Sequence, residues 1–195
     1  MEFVQGFESA YDEHVWDVYG FFGYRVRRRE EAEDLTQVTF ERALKAWDRF
    51  DPQKASVKTW ILVIAHNVLI DHYRRSSSRP EDLLPVEDVE SSRARREPHA
   101  EIDEGGLGPS PEVADALAQL TAREREVIAL RFGGDLKGAE IAELTGLSLA
   151  NVQQILSRAL RSMRGRIEGR EANVVRSGAE RPDSGDSGGR EREQR

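Results

Sequence analysis

The chain has 195 residues, with 29 Lys+Arg against 36 Asp+Glu, no cysteine, four histidines and a formal charge of −7. The absence of cysteine excludes disulfides and thiolate metal sites, and no apolar run approaches the roughly 20 residues that span a bilayer. The acid is unevenly spread: residues 76–112 hold ten acidic and four basic side chains, whereas Leu149 to Arg166 holds four arginines and no acid. The start, MEFVQGFESAYDE, lacks a basic leader region, and a cytoplasmic protein is expected.

From Phe3 to Phe22 the apolar residues Phe3, Phe7, Tyr11, Val15, Val18 and Phe22 recur at steps of three and four, a helical period; Gly20 and Gly23 then loosen it. A second helix is expected from about Glu30 to Trp47. At 100° per residue it gathers Ala32, Thr36, Phe40, Ala43, Leu44 and Trp47 on a core side. Asp34, Gln37, Glu41, Lys45 and Asp48 gather on the other side, which is either a solvated stripe or a docking surface. Asp51-Pro52 marks a loop. A third helix, about Val57 to Arg75, buries Val57, Ile61, Ile64, Ala65, Val68 and Leu69, with Lys54, Lys58, Arg74 and Arg75 making its ends basic.

Residues 76–110 lose apolar periodicity and are rich in Ser, Pro, Glu and Gly, the composition of a flexible acidic linker. Ser110-Pro111-Glu112 then supplies an N-cap, a proline at the first helical position and an acid in the first turn. Thr121 and Glu124 form a T-x-x-E capping box, so a helix should begin at Ala122 and end at Gly133-Gly134. A short helix carrying Ile141, Ala142 and Leu144 should close at Gly146, where a left-handed residue costs least. Ser148 caps a further helix with the stripe Val152, Leu156, Ala159, Leu160 and Met163. Its opposite face presents Asn151, Gln153, Gln154, Ser157, Arg158, Arg161 and Arg164. Amides hydrogen-bond base edges and arginines hold phosphates or guanine, so a short helix, a tight turn and this basic face point to a DNA-reading helix-turn-helix. After about Gly169 the tail is low in apolar residues and is expected to be disordered.

No metal or catalytic constellation emerges. His66 and His72 are six apart and point away from each other on a helix, and no H-E-x-x-H, P-loop, G-x-G-x-x-G or G-x-S-x-G is present. A non-enzyme without cofactor or metal is expected.

Three stretches in this order, AEDLTQVTFERALKAWDRF (32–50), KTWILVIAHNVLIDHYRR (58–75) and all of 120–166, resemble a bacterial RNA polymerase sigma factor of the sigma-70 family. The match is to its extracytoplasmic-function (ECF) subfamily. The resemblance implies an all-α chain of two small helical domains: region 2 over 1–75 and region 4 over 111–169, joined by the acidic linker 76–110 and followed by the tail 170–195. It implies that Asp34, Gln37 and Glu41 bind core polymerase at the β′ clamp coiled coil. Phe50 and Asn67 match a pocket for a base flipped from the −10 element, with Lys54, Lys58, Arg74 and Arg75 as backbone contacts; Trp60 matches a core tryptophan. The recognition helix, with Asn151, Gln153, Gln154, Ser157, Arg158 and Arg161, would read the −35 element, its domain touching the β flap, and an anti-sigma factor is an implied partner. Ala150-Asn151-Val152-Gln153-Gln154-Ile155 departs from the small-Thr-Val-basic-Ser-Arg pattern of many relatives. Gln153-Gln154-Ile155 is therefore where the chain's own promoter preference is expected. Two other readings of the residues are a response-regulator-type helix-turn-helix transcription factor, suggested by LTAREREVIAL…EIAELTG, and a helical protein-interaction adaptor.

Overall fold

A computed structural model describes residues 2–26, 28–76 and 109–179. Among these residues there are helices and turns and no strand. The N-terminal unit consists of α1 (Glu2–Gly23), α2 (Arg29–Ala46) with a 3₁₀ turn at Trp47–Arg49, and α3 (Val57–Ser76). The C-terminal unit consists of α4 (Pro111–Leu117), α5 (Ala122–Ile128) running into a π turn at Ala129–Gly133, α6 (Gly138–Thr145) and α7 (Leu149–Ala179).

The local punctuation acts as the sequence indicates. The Thr121 N–H donates to Glu124 Oε2 at 3.0 Å and the Glu124 N–H donates to Thr121 Oγ1 at 3.2 Å, so α5 opens on a reciprocal capping box. Gly146 sits at φ 71 and stops α6, and the Asn151 N–H donates to Ser148 Oγ at 3.2 Å at the start of α7. Pro111 is the first residue of α4, but the Ser110 hydroxyl donates to Glu112 Oε2 at 2.8 Å instead of capping a backbone N–H.

Several faces differ from the single-helix reading. Tyr11, Leu44 and Leu160 are exposed, while Phe21, Leu35, Leu62 and Ile155 are buried. Each of the buried four lies within one residue of the expected stripe. A stripe read from one helix assumes one packing partner, and here α1, α3 and α7 each meet more than one neighbour. Ile155 is 5 % exposed within the core, so it does not face DNA; Gln153 and Gln154, between Val152 and Ile155, do face outward. α7 also runs to Ala179, about ten residues past the expected start of the tail; the tail beyond it and most of the linker, residues 77–108, lie outside the described residues.

The two units share one apolar core. Val18, Phe21 and Phe22 of α1 and Ile61 and Leu62 of α3 belong to the same buried cluster as Val127, Leu130, Leu136, Ile141, Val152 and Ile155. Where α1 meets the π turn, a methyl group at Gly20 would lie 2.6 Å from the Gly133 carbonyl oxygen, so only glycine on both sides allows this crossing. A second cluster, around Leu117, Leu120, Ile128, Ala159 and Met163, holds α4, α5 and α7 together, with Tyr24 packed against it.

Candidate functional site

Asp34, Gln37 and Glu41 lie exposed along one edge of α2, because Ala32, Leu35, Thr36, Thr39, Phe40 and Ala43 claim the other side. The Gln37 amide donates to Glu41 Oε1 at 3.0 Å, holding two of the three in register. Next to Asp34, a cleft is lined by Arg28, Glu30, Glu31, Leu35 and His72, and His72 Nε2 lies 2.7 Å from Glu31 Oε1. This edge is acidic, amide-bearing and open, the surface chemistry that suits a basic protein partner.

The second constellation centres on Phe50, which extends from the 3₁₀ turn after α2. Its ring stacks on Trp47 at 5.5 Å between centroids and 19° between planes, and meets Trp60 of α3 at 5.3 Å. Trp47 and Trp60 are themselves edge to face at 5.8 Å. Trp60, expected in the core, is only half-buried and forms one wall of this platform. Trp60, Asn67 and Arg74 are seven residues apart, and seven residues bring an α-helix back to within about 20° of the same side. Phe50 and Trp60 sit at one end of this side of α3, with exposed Asn67 about two turns and exposed Arg74 about four turns further along it and Arg75 at the next position round. A partly exposed aromatic group is chemistry on which an unpaired base stacks.

The basic residues of the same reading divide. Lys54 is exposed in the loop, 3.4 Å from Asp51. Lys58 faces the opposite way, toward the C-terminal unit: its ammonium lies 3.0 Å from Asp135 and 3.2 Å from Asp17. Burial alone would push the Lys58 ammonium down, but its hydrogen bonds and charge pairing with Asp135 and Asp17 hold it above the usual lysine value. At the base of α3, Asp71 accepts from Arg42 at 2.8 Å, and that bond holds its carboxyl below the usual range.

The third constellation is α7. Asn151, Gln153, Gln154, Ser157, Arg158 and Arg161 are all exposed, and Arg164 and Arg166 extend the face. They follow α6 after a left-handed Gly146 and a two-residue gap, the tight turn that sets a recognition helix across its partner. Arg125, by contrast, is taken up locally, donating to the carbonyls of Leu117 and Leu120. Sequence reasoning missed Trp47 and Trp60 as a platform and His66–Glu126 as a pair between units; only the aromatic density around Phe50 was a usable signal. No group of three or more metal-ligating side chains occurs among the described residues.

Residues 10–79 match the family Sigma-70 region 2, and residues 116–165 match Sigma-70, region 4. The chain is 31 % identical over 160 residues to the ECF RNA polymerase sigma factor BldN of Streptomyces coelicolor, covering 82 % of this chain and 60 % of that protein. It is 30 % identical over 164 residues to the ECF RNA polymerase sigma factor SigX of Bacillus subtilis, covering 83 % and 84 %. In fold it is similar to the sigma factor RpoE of Bartonella quintana, solved in complex with the anti-sigma factor NepR, with a TM-score of 0.65 over 84 % of this chain and 98 % of that one at 20 % identity. Two sigma regions matched in order leave the response-regulator and adaptor readings without support: the chain belongs to the ECF subfamily of the sigma-70 family, the transcription initiation factors that direct RNA polymerase to specific promoters.

Proposed function

We propose that this sigma factor grips its promoters at two points. Residues 111–169 read the −35 element through Asn151, Gln153, Gln154, Ser157, Arg158 and Arg161 and touch the β flap. Residues 1–75 open the −10 element, with Phe50 and Asn67 receiving a flipped base and Lys54, Lys58, Arg74 and Arg75 holding backbone. Asp34, Gln37 and Glu41 dock on the β′ clamp coiled coil. The carrying observation is the exposed, acid-free face of α7 immediately after the αL-terminated α6. Unstacking a base costs a few kcal/mol, and an aromatic platform that restacks it returns a similar amount. The chain's acidity fits a protein that reaches DNA on polymerase, which contributes basic surface of its own. The polymerase carries the catalysis, so the sigma factor needs neither an active site nor a cofactor, and its workplace is the cytoplasm. Segment 76–110 serves as the tether between the units, and an anti-sigma factor is a fitting regulator because the solved neighbour was crystallised with one.

The test is run-off transcription from a fragmented genomic library with core polymerase, with and without the protein. A discrete set of new start sites is expected, sharing motifs near −35 and −10. Unchanged transcripts alongside normal binding to core would overturn the promoter reading.

A further inference from the structure

The core side of α1 is taken by Ala10, Val18, Phe21 and Phe22, and its outer side carries an aromatic strip that the fold does not use. Trp16 is 61 % exposed, the most exposed of the large hydrophobic side chains described, and its ring meets Tyr19 edge to face at 6.1 Å. Partly buried Val15 lies beside them, and Asp12 and Glu8 continue the strip one and two turns earlier. Across the whole of α1 there are five acidic residues and no lysine or arginine. Glu8, Asp12 and Glu13 are exposed, and none of the three pairs with a cation among the described residues. An exposed aromatic pair with unpaired acids at one end fits a basic helix that carries apolar side chains of its own.

The chain itself supplies such a helix. On α7, Leu149 and Leu160 are 45 % and 43 % exposed, although most leucines of this protein are buried or half-buried. With 3.6 residues per turn, Leu149, Gln153, Leu160 and Arg164 fall within about 60° of one another, and Arg161 lies next to them. All five are exposed, and no acid interrupts the stretch from Leu149 to Arg166. Laid antiparallel on this side of α7, the outer side of α1 brings Glu8 and Asp12 to Arg164 and Arg161. The same placement turns Trp16 and Tyr19 toward Gln153 and Leu149. Within one copy the two sides do not meet, since both stay exposed and α1 is fixed by its Gly20–Gly133 crossing.

Charge disfavours the other occupants that the chain offers. Residues 76–112, with ten acids against four bases, repel α1, and residues 180–195 contain no aromatic or large aliphatic side chain to meet Trp16. A second α1 sets acid against acid. Among the described helices, α7 is the one that presents arginines without an intervening acid beside exposed leucines.

We propose that this protein self-associates head to tail: the outer side of α1 in one copy docks on the outer side of α7 in another, with Trp16 as its anchor and Glu8 and Asp12 paired with Arg164 and Arg161. The contact is heterologous, so each added copy still offers one free α1 and one free α7, and assemblies grow beyond the dimer unless a ring closes. One helix pair buries less than the roughly 1,200–2,000 Å² of a stable interface, so association sets in only at about 10–100 µM. Arg161 serves either the second copy or DNA, so self-association and −35 contact exclude each other. That consequence rests on the promoter reading; the docking itself does not.

The test is sedimentation velocity of the full chain from about 1 to 200 µM, a range that brackets the onset expected for a small interface. Monomer is expected at the low end and larger species at the high end, dispersing in about 1 M salt, where charges are screened beyond roughly 3 Å. Trp16→Ala should weaken association about 30-fold, as loss of an interface anchor does, and leave promoter-specific run-off transcription unchanged. Asp12→Arg and Arg161→Glu should each stay monomeric, because each sets like charges across the contact. An equimolar mixture of the two should reassociate, since an unaltered α1 then meets an unaltered α7, and that recovery also shows both variants folded. A chain that stays monomeric throughout, an assembly that Trp16→Ala leaves unchanged, or a mixture that fails to reassociate would each overturn the docking. An assembly lost in Asp12→Arg but kept in Arg161→Glu would overturn it too, by placing another surface opposite α1. The readout is oligomeric state, so these failures leave the promoter reading standing; a wild type without promoter-specific transcripts counts against that reading instead.

Discussion

The Lys58 ammonium lies 3.0 Å from the Asp135 carboxylate, joining two residues 77 positions apart in the chain. A lysine that the sequence offers to DNA is held in the free protein by its own C-terminal unit. The same contact between units contains Glu126, whose carboxyl burial pushes up; the hydrogen bond and charge of His66, with Arg25 and Arg123 nearby, outweigh burial and hold it below the usual value.

This contact should therefore respond to acid. Asp135 is also held low, chiefly by its bond to Lys58. Groups with depressed folded-state values contribute stability above their unfolded values of about 4, and that contribution is lost as pH falls through the folded ones. Lys58, held high, contributes below about pH 10 and loses its contribution as pH rises further. Stability of the folded protein in denaturant titrations should fall below about pH 4. Glu126→Gln should remove part of the acid transition, and an identical acid limb in that variant would show that Glu126 does not carry it.

Gln154→Ala should change preference at particular −35 base pairs, at about 1–3 kcal/mol for a lost bidentate contact. Arg161→Ala should instead weaken all sequences evenly and lower the salt slope of log K by about 0.9. Binding of both variants to a randomised −35 library at several salt concentrations separates these effects. Equal loss on every sequence for Gln154→Ala would remove it from base reading.

Ile155 is buried against the shared core, so Ile155→Ala should destabilise the protein by about 2–5 kcal/mol in denaturant titrations while leaving −35 preference unchanged. A preference shift without loss of stability would return this position to the DNA face.

Phe50→Ala should lower open-complex formation by about 5- to 150-fold, the equivalent of about 1–3 kcal/mol of base stacking. Its binding to core polymerase should not change. Permanganate footprinting over the −10 region reads the first effect, and co-purification with core reads the second.

Asp34→Lys combined with Gln37→Ala should abolish assembly with core polymerase and leave helical circular dichroism intact, because both side chains are exposed and neither touches the core of α2. Normal co-purification would return this edge to solvated surface.

Much of the recognition machinery was legible because it is local. Thr121 and Glu124, Gly146, and Ser148 each act on backbone groups within a few residues, and the outward face of α7 follows from its period alone. The polar edge of α2 was legible for the same reason. Phe50's surroundings were not: Trp47 reads as core from its own helix and Trp60 from the resemblance, and only the turn after α2 brings the three rings together.

The sequence by itself determined that the chain is helical, where most of its helices begin and end, and which residues α7 and α2 turn outward. Those outcomes depend on capping, glycine conformation and apolar period, which act over one or two turns. The tertiary structure alone decided that Phe21 and Ile155 are core, that Tyr11, Leu44 and Leu160 are not, and that Lys58 faces Asp135 and not the aromatic platform. It also decided that the two units meet at the Gly20–Gly133 crossing. Burial and ion pairing between residues 60 or more positions apart depend on which helix faces meet, and no periodicity within a single helix encodes that meeting.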